Sequence, residues 1–149
     1  DKKNTKFVVV GSLSCFEGDI ELTYSNMEYK EDVIFLGRKE IEELILITGA
    51  AEAMLYVSLY EGFGIPILEG FHAEIPVITS KTTSMPEIAG NAALLVDPYS
   101  IDEITQSLVD ISTNPTLKSE LIQKGKQRKT DFSWDLTDEL LWQTIEKEL

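Results

Sequence analysis

The chain has 149 residues, 13 Lys and Arg against 26 Asp and Glu, one His and one Cys, and 43% of it is hydrophobic. That length suits one domain, which buries roughly two thirds of its unfolded surface without a disulfide or metal staple. The formal charge of −13 argues against a nucleic-acid groove or an anionic-membrane surface, since both need clustered Lys and Arg. The best basic cluster, Lys124, Lys126, Arg128 and Lys129, reads as a solvated helix face and last turn. Cys15 has no second cysteine to pair with, which suits a reducing compartment, and with His72 as the sole histidine the chain alone builds no Cys/His zinc site. No apolar run approaches the ~18 to 20 residues that span a bilayer, and Asp1-Lys2-Lys3-Asn4 does not look like a signal peptide. A cytoplasmic protein without nucleic-acid or membrane contacts is expected.

In chain order, Phe7-Val8-Val9-Val10 ends at Gly11-Ser12 and reads as a strand buried on both faces. The segment from Glu17 to Tyr29 is open, because Gly18 and Asn26 weaken a helix there. Val33-Ile34-Phe35-Leu36, ending at Gly37, is the second strand, and Glu40 to Thr48 has helical spacing at 41, 44, 45 and 48. Ala53 to Ser58 is the third strand, and a helix follows over Pro66 to Ala73. Pro76 to Thr79 and Ala93 to Val96 are the fourth and fifth strands. Ile101 to Thr113 carries an apolar stripe at Ile101, Ile104, Leu108 and Ile111. Pro115 opens the next helix, with Leu117 and Leu121 inward and an end near Gly125. A last helix starts at about Leu136 or Thr137, with Trp134 and Trp142 as packing anchors. This alternation gives an α/β fold, an open parallel Rossmann-like sheet flanked by helices.

Ligands of such sheets sit at the carboxyl ends of strands, in the turns leading into helices. Neither G-x-G-x-x-G nor G-x-x-x-x-G-K-[ST] is present. The turn after the third strand, Tyr60-Glu61-Gly62-Phe63-Gly64-Ile65-Pro66, is the unusual one. Gly62 and Gly64 permit backbone angles closed to other residues and let a ligand approach the main chain. Pro66 suits a first helical position, so the amides from Gly64 to Ile67 face an anion, as for phosphate. Glu61 in the loop and Glu69 on the first helical turn could each grip sugar hydroxyls. The plain alternative is a strand-to-helix connection in which Glu69 merely complements the helix dipole. Ser84-Met85-Pro86-Glu87 reads as a capped helix start, and His72 as a helix-face residue.

The run Tyr60 to Glu69, with its two Glu separated by seven residues, resembles the donor-binding signature of group 1 retaining glycosyltransferases (glycosyltransferase family 4). The resemblance extends over Val33 to Gly37, Ile75 to Ser80, Ser84 to Ile88, Ala92 to Pro98 and Phe132-Ser133-Trp134. It implies the C-terminal half of a GT-B fold, a single partial nucleotide-sugar-binding domain over 1–149. The acceptor-binding N-terminal domain would be absent from this chain, as would the domain's first strand and helix, which carry an Arg and a Lys for the diphosphate. That strand is central in the family sheet, so a gap between Phe7–Val10 and Ala53–Ser58 is expected. Glu74 stands where the family has Gly.

By the same resemblance, Glu61 is the catalytic residue facing the donor sugar. Gly62 and the backbone amides of Phe63, Gly64, Ile65 and Ile67 hold sugar and diphosphate. Glu69 bonds the ribose hydroxyls, and Arg38 and Lys39 flank the base. The implied activity is hexosyl-type transfer with retention from a nucleotide-diphosphate sugar to a hydroxyl acceptor, with no metal or other cofactor, in a setting such as polysaccharide biosynthesis. The fragment by itself is expected to be inactive. The alternative is a non-catalytic nucleotide-sugar-binding or interaction module of the same fold.

Overall fold

The computed structural model describes residues 5–12 and 18–148. It divides into two compact units, Asp1–Leu46 and Ile47–Leu149. Cys15 lies outside the described residues.

The first unit holds β1 (Phe7–Val10), α1 (Asp19–Ser25) and β2 (Val33–Gly37), and α2 (Ile41–Gly49) leads out of it. β1 and β2 are parallel, with Phe7 opposite Val33 and Val9 opposite Phe35, and a register shift before Val10 meets Gly37. α1 fills the segment that the sequence left open. Asp19 and Glu21 in its first turn complement its dipole, but it buries no residue. Tyr24 on it sits edge-on to Phe35, with ring centroids 5.2 Å apart.

The second unit holds β3 (Met54–Tyr56), α3 (Ile65–His72), β4 (Val77–Ser80), α4 (Met85–Ala89), β5 (Leu94–Val96), α5 (Ile101–Thr113), α6 (Pro115–Arg128) and α7 (Trp134–Glu148). β4 lies between β3 and β5, all parallel, and among the described residues β1 pairs with β2 alone and β3 with β4 alone. β4 is buried along its whole length, as a parallel strand covered on both faces should be. Its alternate residues feed two cores. Val77 packs with Ile67 and Phe71 of α3 and with Met85, Ile88 and Ala89 of α4. Ile78 packs with Val96, Ile111 of α5 and Leu121 of α6.

Several boundaries differ from the sequence reading, each for a local reason. β4 begins one residue later than Pro76, which has no N–H to give; its carbonyl still accepts from Met54 N at 2.9 Å. β3 stops at Tyr56 because the chain then leaves the ladder, and the Ser58 carbonyl is met by the Ser80 hydroxyl instead. α6 runs past Gly125 to Arg128. That glycine serves close packing rather than termination, since a Cβ there would come 2.9 Å from Phe71 Cδ1. α7 starts at Trp134, where Ser133 Oγ accepts from Leu136 N at 3.1 Å.

Two expectations about packing are corrected. Trp134 and Trp142 are not anchors, since Trp134 is 81% exposed and Trp142 58% exposed. Both core clusters close without α7. The inward stripe of α5 is narrower than expected, because Ser107 and Ile111 are buried while Ile101 is exposed. Caps follow the sequence more closely. Ser100 accepts from Glu103 N, and Asn114 accepts from Leu117 N ahead of Pro115. Glu74, where the resemblance expects Gly, adopts φ 58° just past α3, the left-handed position that ends many helices. Lys126 reaches its carboxylate at 2.8 Å.

Candidate functional site

The turn between β3 and α3 lies at the carboxyl end of the second unit's sheet. Gly64 is its pivot. It caps α3 with φ 106° and ψ 47°, a conformation that is unstrained only for glycine. A Cβ there would also stand 3.1 Å from Ile67 Cδ1. Gly62 does not use a left-handed conformation, and a Cβ on it would meet nothing within 4 Å. It leaves open space beside the loop.

Pro66 falls within the first two helical positions, so one of the first-turn N–H groups is removed by chemistry. The N–H of Ile67 is already spent on the Gly64 carbonyl at 3.0 Å, and the Ile67 side chain is fully buried. Ile67 therefore supplies the floor of the turn rather than a free amide. Among the described residues, the N–H groups of Gly62, Phe63, Gly64 and Ile65 donate to no protein acceptor. They are open at the positive end of an eight-residue helix.

Glu61 sits in the loop ahead of these amides. Hydrogen bonds from Tyr56 and then from Ser58 hold its carboxyl below the usual carboxylate range. Burial pushes the Tyr56 hydroxyl up, and its bond to Glu61 adds to that. At neutral pH Glu61 is thus a carboxylate near a neutral phenol, and its lone pairs can accept hydroxyl protons. Glu69 is half-buried and lies in the second turn of α3, not the first. Its charge still reaches Tyr56, whose ionisation it opposes.

The loop backbone is held by side chains of the following strand and turn. Thr79 donates to the Tyr56 carbonyl at 2.8 Å and Ser80 to the Ser58 carbonyl at 2.5 Å. Thr82 donates to the Leu59 carbonyl at 3.4 Å. Thr83 Oγ1 accepts from Glu61 N at 3.3 Å. Ser84, expected to cap α4 with its side chain, makes no such cap bond. Its hydroxyl instead faces the carbonyls of Glu61 and Phe63 at 3.0 and 2.9 Å. The reason is demand, because these loop carbonyls have left the sheet and need a donor.

The far side of the loop is aromatic. Phe63 meets Phe132 edge-on, with centroids 6.0 Å apart. Arg128 stacks over Phe132 at 4.8 Å and donates to the carbonyls of Glu87 and Ile88 at the end of α4. Phe132 thus links α6 to the turn. Tyr56, Ser58, Thr83 and Arg128 were not singled out as site residues in the sequence. The hydroxyl-rich run Thr79-Ser80-Lys81-Thr82-Thr83-Ser84, which leaves the end of a strand, is the signal that could have found Thr83.

Arg38 and Lys39 belong to the first unit, just after Gly37. Lys39 pairs with Glu43 at 3.0 Å one helical turn on, and Arg38 is exposed. In the second unit Lys81, the cation that follows β4, is held between Asp97 at 3.4 Å and Glu103 at 3.2 Å. The C-terminal basic cluster is largely neutralised, with Lys124 on Glu120, Lys126 on Glu74 and Arg128 on Asp131. His72 is exposed at the end of α3. Among the described residues no helix is long and apolar enough to cross a membrane.

The chain is similar to known proteins. Residues 1–128 match the family described as glycosyl transferases group 1. The chain is 35% identical over 101 residues to O-antigen chain mannosyltransferase B of Escherichia coli, a match covering 68% of this chain and 26% of that protein. The chain thus spans about a quarter of that relative's length. A glycosyltransferase from Rickettsia africae superposes with a TM-score of 0.85 at 17% identity, over 97% of this chain and 40% of the other. Anabaena HepE in complex with UDP-glucose does so with a TM-score of 0.83 at 16% identity, over 95% and 41%. At such identities the superpositions establish the shared fold, that of GT-B glycosyltransferases, and the family match covers the turn itself. This chain belongs to the group 1 glycosyltransferases.

Proposed function

We propose that this chain forms the donor-binding part of a retaining glycosyltransferase, which moves a hexosyl group from a nucleoside-diphosphate sugar to a hydroxyl acceptor. The observation that carries this reading is the set of open amides from Gly62 to Ile65 at the head of α3, beside a Glu61 carboxylate held ionised by Tyr56 and Ser58. Amides at a helix start suit the diphosphate, and an acceptor-only carboxylate suits sugar hydroxyls. The Escherichia coli relative is a mannosyltransferase, and the HepE structure holds UDP-glucose. A hexose is common to both names.

In this account Glu61 orients the donor sugar and Glu69 bonds the ribose hydroxyls. The amides stabilise charge on the departing nucleoside diphosphate. As the sugar–oxygen bond to the diphosphate breaks, the acceptor oxygen bonds the anomeric carbon on the same face, and the acceptor proton passes to the leaving phosphate. The protein's share is positioning and electrostatics, with no metal required. The acceptor is bound by residues outside this chain, and the reaction is placed in the cytoplasm, in polysaccharide synthesis.

Saturation-transfer NMR of the chain with UDP, GDP and ADP tests this reading. Transfer to the ribose protons of one nucleotide, lost in Glu69→Ala, is the expected result. No transfer from any of the three would contradict it.

A further inference from the structure

The peptide unit is planar and trans, so a carbonyl and the N–H of the next residue point in opposite directions. Ser84 draws the carbonyls of Glu61 and Phe63 to one side of the loop, at 3.0 and 2.9 Å. The N–H groups of Gly62 and Gly64 are thereby turned to the other side, where they have no acceptor among the described residues. Thr83 fixes the preceding peptide by accepting from Glu61 N at 3.3 Å. Three of the four peptide units from Tyr60 to Gly64 are therefore set by two adjacent hydroxyls.

The backbone at this pair is itself unusual. Thr83 has φ 54°, a region that a β-branched residue seldom enters, and such outliers persist where the surroundings over-determine them. A serine hydroxyl has one proton to share between its two carbonyls. The latch therefore holds the loop in one arrangement while remaining easier to open than a paired strand.

We propose that Thr83 and Ser84 are positioning residues that select the amide-outward conformation of the Glu61–Gly64 loop, and so set the affinity for the diphosphate of the donor. This rests on the donor reading above, which supplies the ligand. It differs from a capping role, because neither hydroxyl serves α4.

The test compares Ser84→Ala, Ser84→Thr, Thr83→Val and Thr83→Ser in the full chain. The dissociation constant is measured for UDP and GDP, alongside the melting temperature and the amide shifts of Gly62 and Gly64. Loss of one such bond should weaken binding of whichever nucleotide the wild type holds by roughly three- to tenfold. The melting temperature should scarcely move, the Gly62 and Gly64 shifts should change, and Ser84→Thr and Thr83→Ser should restore binding. Thr83→Val keeps the branched side chain and removes only the acceptor, so it remains informative if Ser84→Ala folds poorly. Wild-type affinity in both Ser84→Ala and Thr83→Val overturns the latch and leaves the donor reading intact. Affinity loss that tracks melting temperature and is not rescued by the hydroxyl-bearing variants overturns it as well. A wild-type chain that binds neither nucleotide contradicts the donor reading and overturns this inference with it.

Discussion

Two strands that both begin as apolar runs end in different surroundings. Phe7-Val8-Val9-Val10 is apolar throughout, whereas Val77-Ile78-Thr79-Ser80 turns to hydroxyl residues at its end. β4 is buried at every position, whereas Phe7 is 48% exposed and no residue of β1 is fully buried. The difference lies in coverage. β4 has a strand on each side and helices α3, α4, α5 and α6 supplying both cores. Among the described residues β1 has one partner strand, and α1 of the same unit buries nothing. An apolar run specifies a strand by its propensity and its period. Whether that strand becomes core depends on residues far away in the sequence.

The largest expected contrast is in truncation. Phe71→Ala removes a ring that fills the core between α3, α4 and Gly125, and should cost about 3 to 5 kcal/mol in denaturant unfolding. Phe7→Ala should cost well under half as much. Equal losses would mean that the first unit has a core the described contacts do not reveal. Next comes Gly70→Ala in α3, where the added Cβ would stand 2.5 Å from Val77 Cγ2. Overpacking of this kind costs about 1 to 3 kcal/mol, and the same exchange at Gly49 in α2, with open space around it, should be neutral or favourable.

Gly64→Ala sharpens the contrast within the second unit. The left-handed cap should cost about 1 to 3 kcal/mol and should also weaken nucleotide binding, because the amides that follow change direction. Unchanged binding in a folded Gly64→Ala variant would separate the cap from the site.

The smallest effect is electrostatic. Lys81 is raised by its bond to Glu103 and its charge, with a further bond to Asp97. Asp97 is lowered by the Tyr99 backbone bond and by Lys81, and Glu103 by the Asp97 backbone bond and by Lys81. Depressed carboxylates stabilise the fold above their unfolded values and lose that contribution as pH falls through the folded ones. A raised lysine contributes below its unfolded value and loses the contribution as pH climbs through the folded one. Melting curves of wild type and Lys81→Met should therefore differ slightly near neutral pH and converge in acid. The gap should also close with added salt, because the cluster is exposed.

The order of elements was legible because strands and helices differ in period, and because Ser100 and Asn114-Pro115 mark helix starts by local chemistry. The turn from Glu61 to Glu69 was legible for the same reason: Gly64 and Pro66 impose their geometry on neighbours. What could not be read were choices made across distance. Ser84 has the sequence of a cap, yet it serves carbonyls more than twenty residues earlier. Gly125 looks like a helix end, yet it exists for the ring of Phe71. Trp134 and Trp142 look like anchors, yet the cores close without them. In each case a local preference yields to a partner that only the tertiary structure brings near.

The central claim is that the open amides at the head of α3 hold the donor diphosphate. Amide-resolved NMR titration of the chain with UDP and GDP addresses it most directly. The account predicts that Gly62, Phe63, Gly64 and Ile65 shift most, that Ile67 shifts little because its N–H is already bonded, and that the changes are reduced in Glu69→Ala. Shifts confined to any other turn of the sheet, with these four amides unmoved, would contradict it.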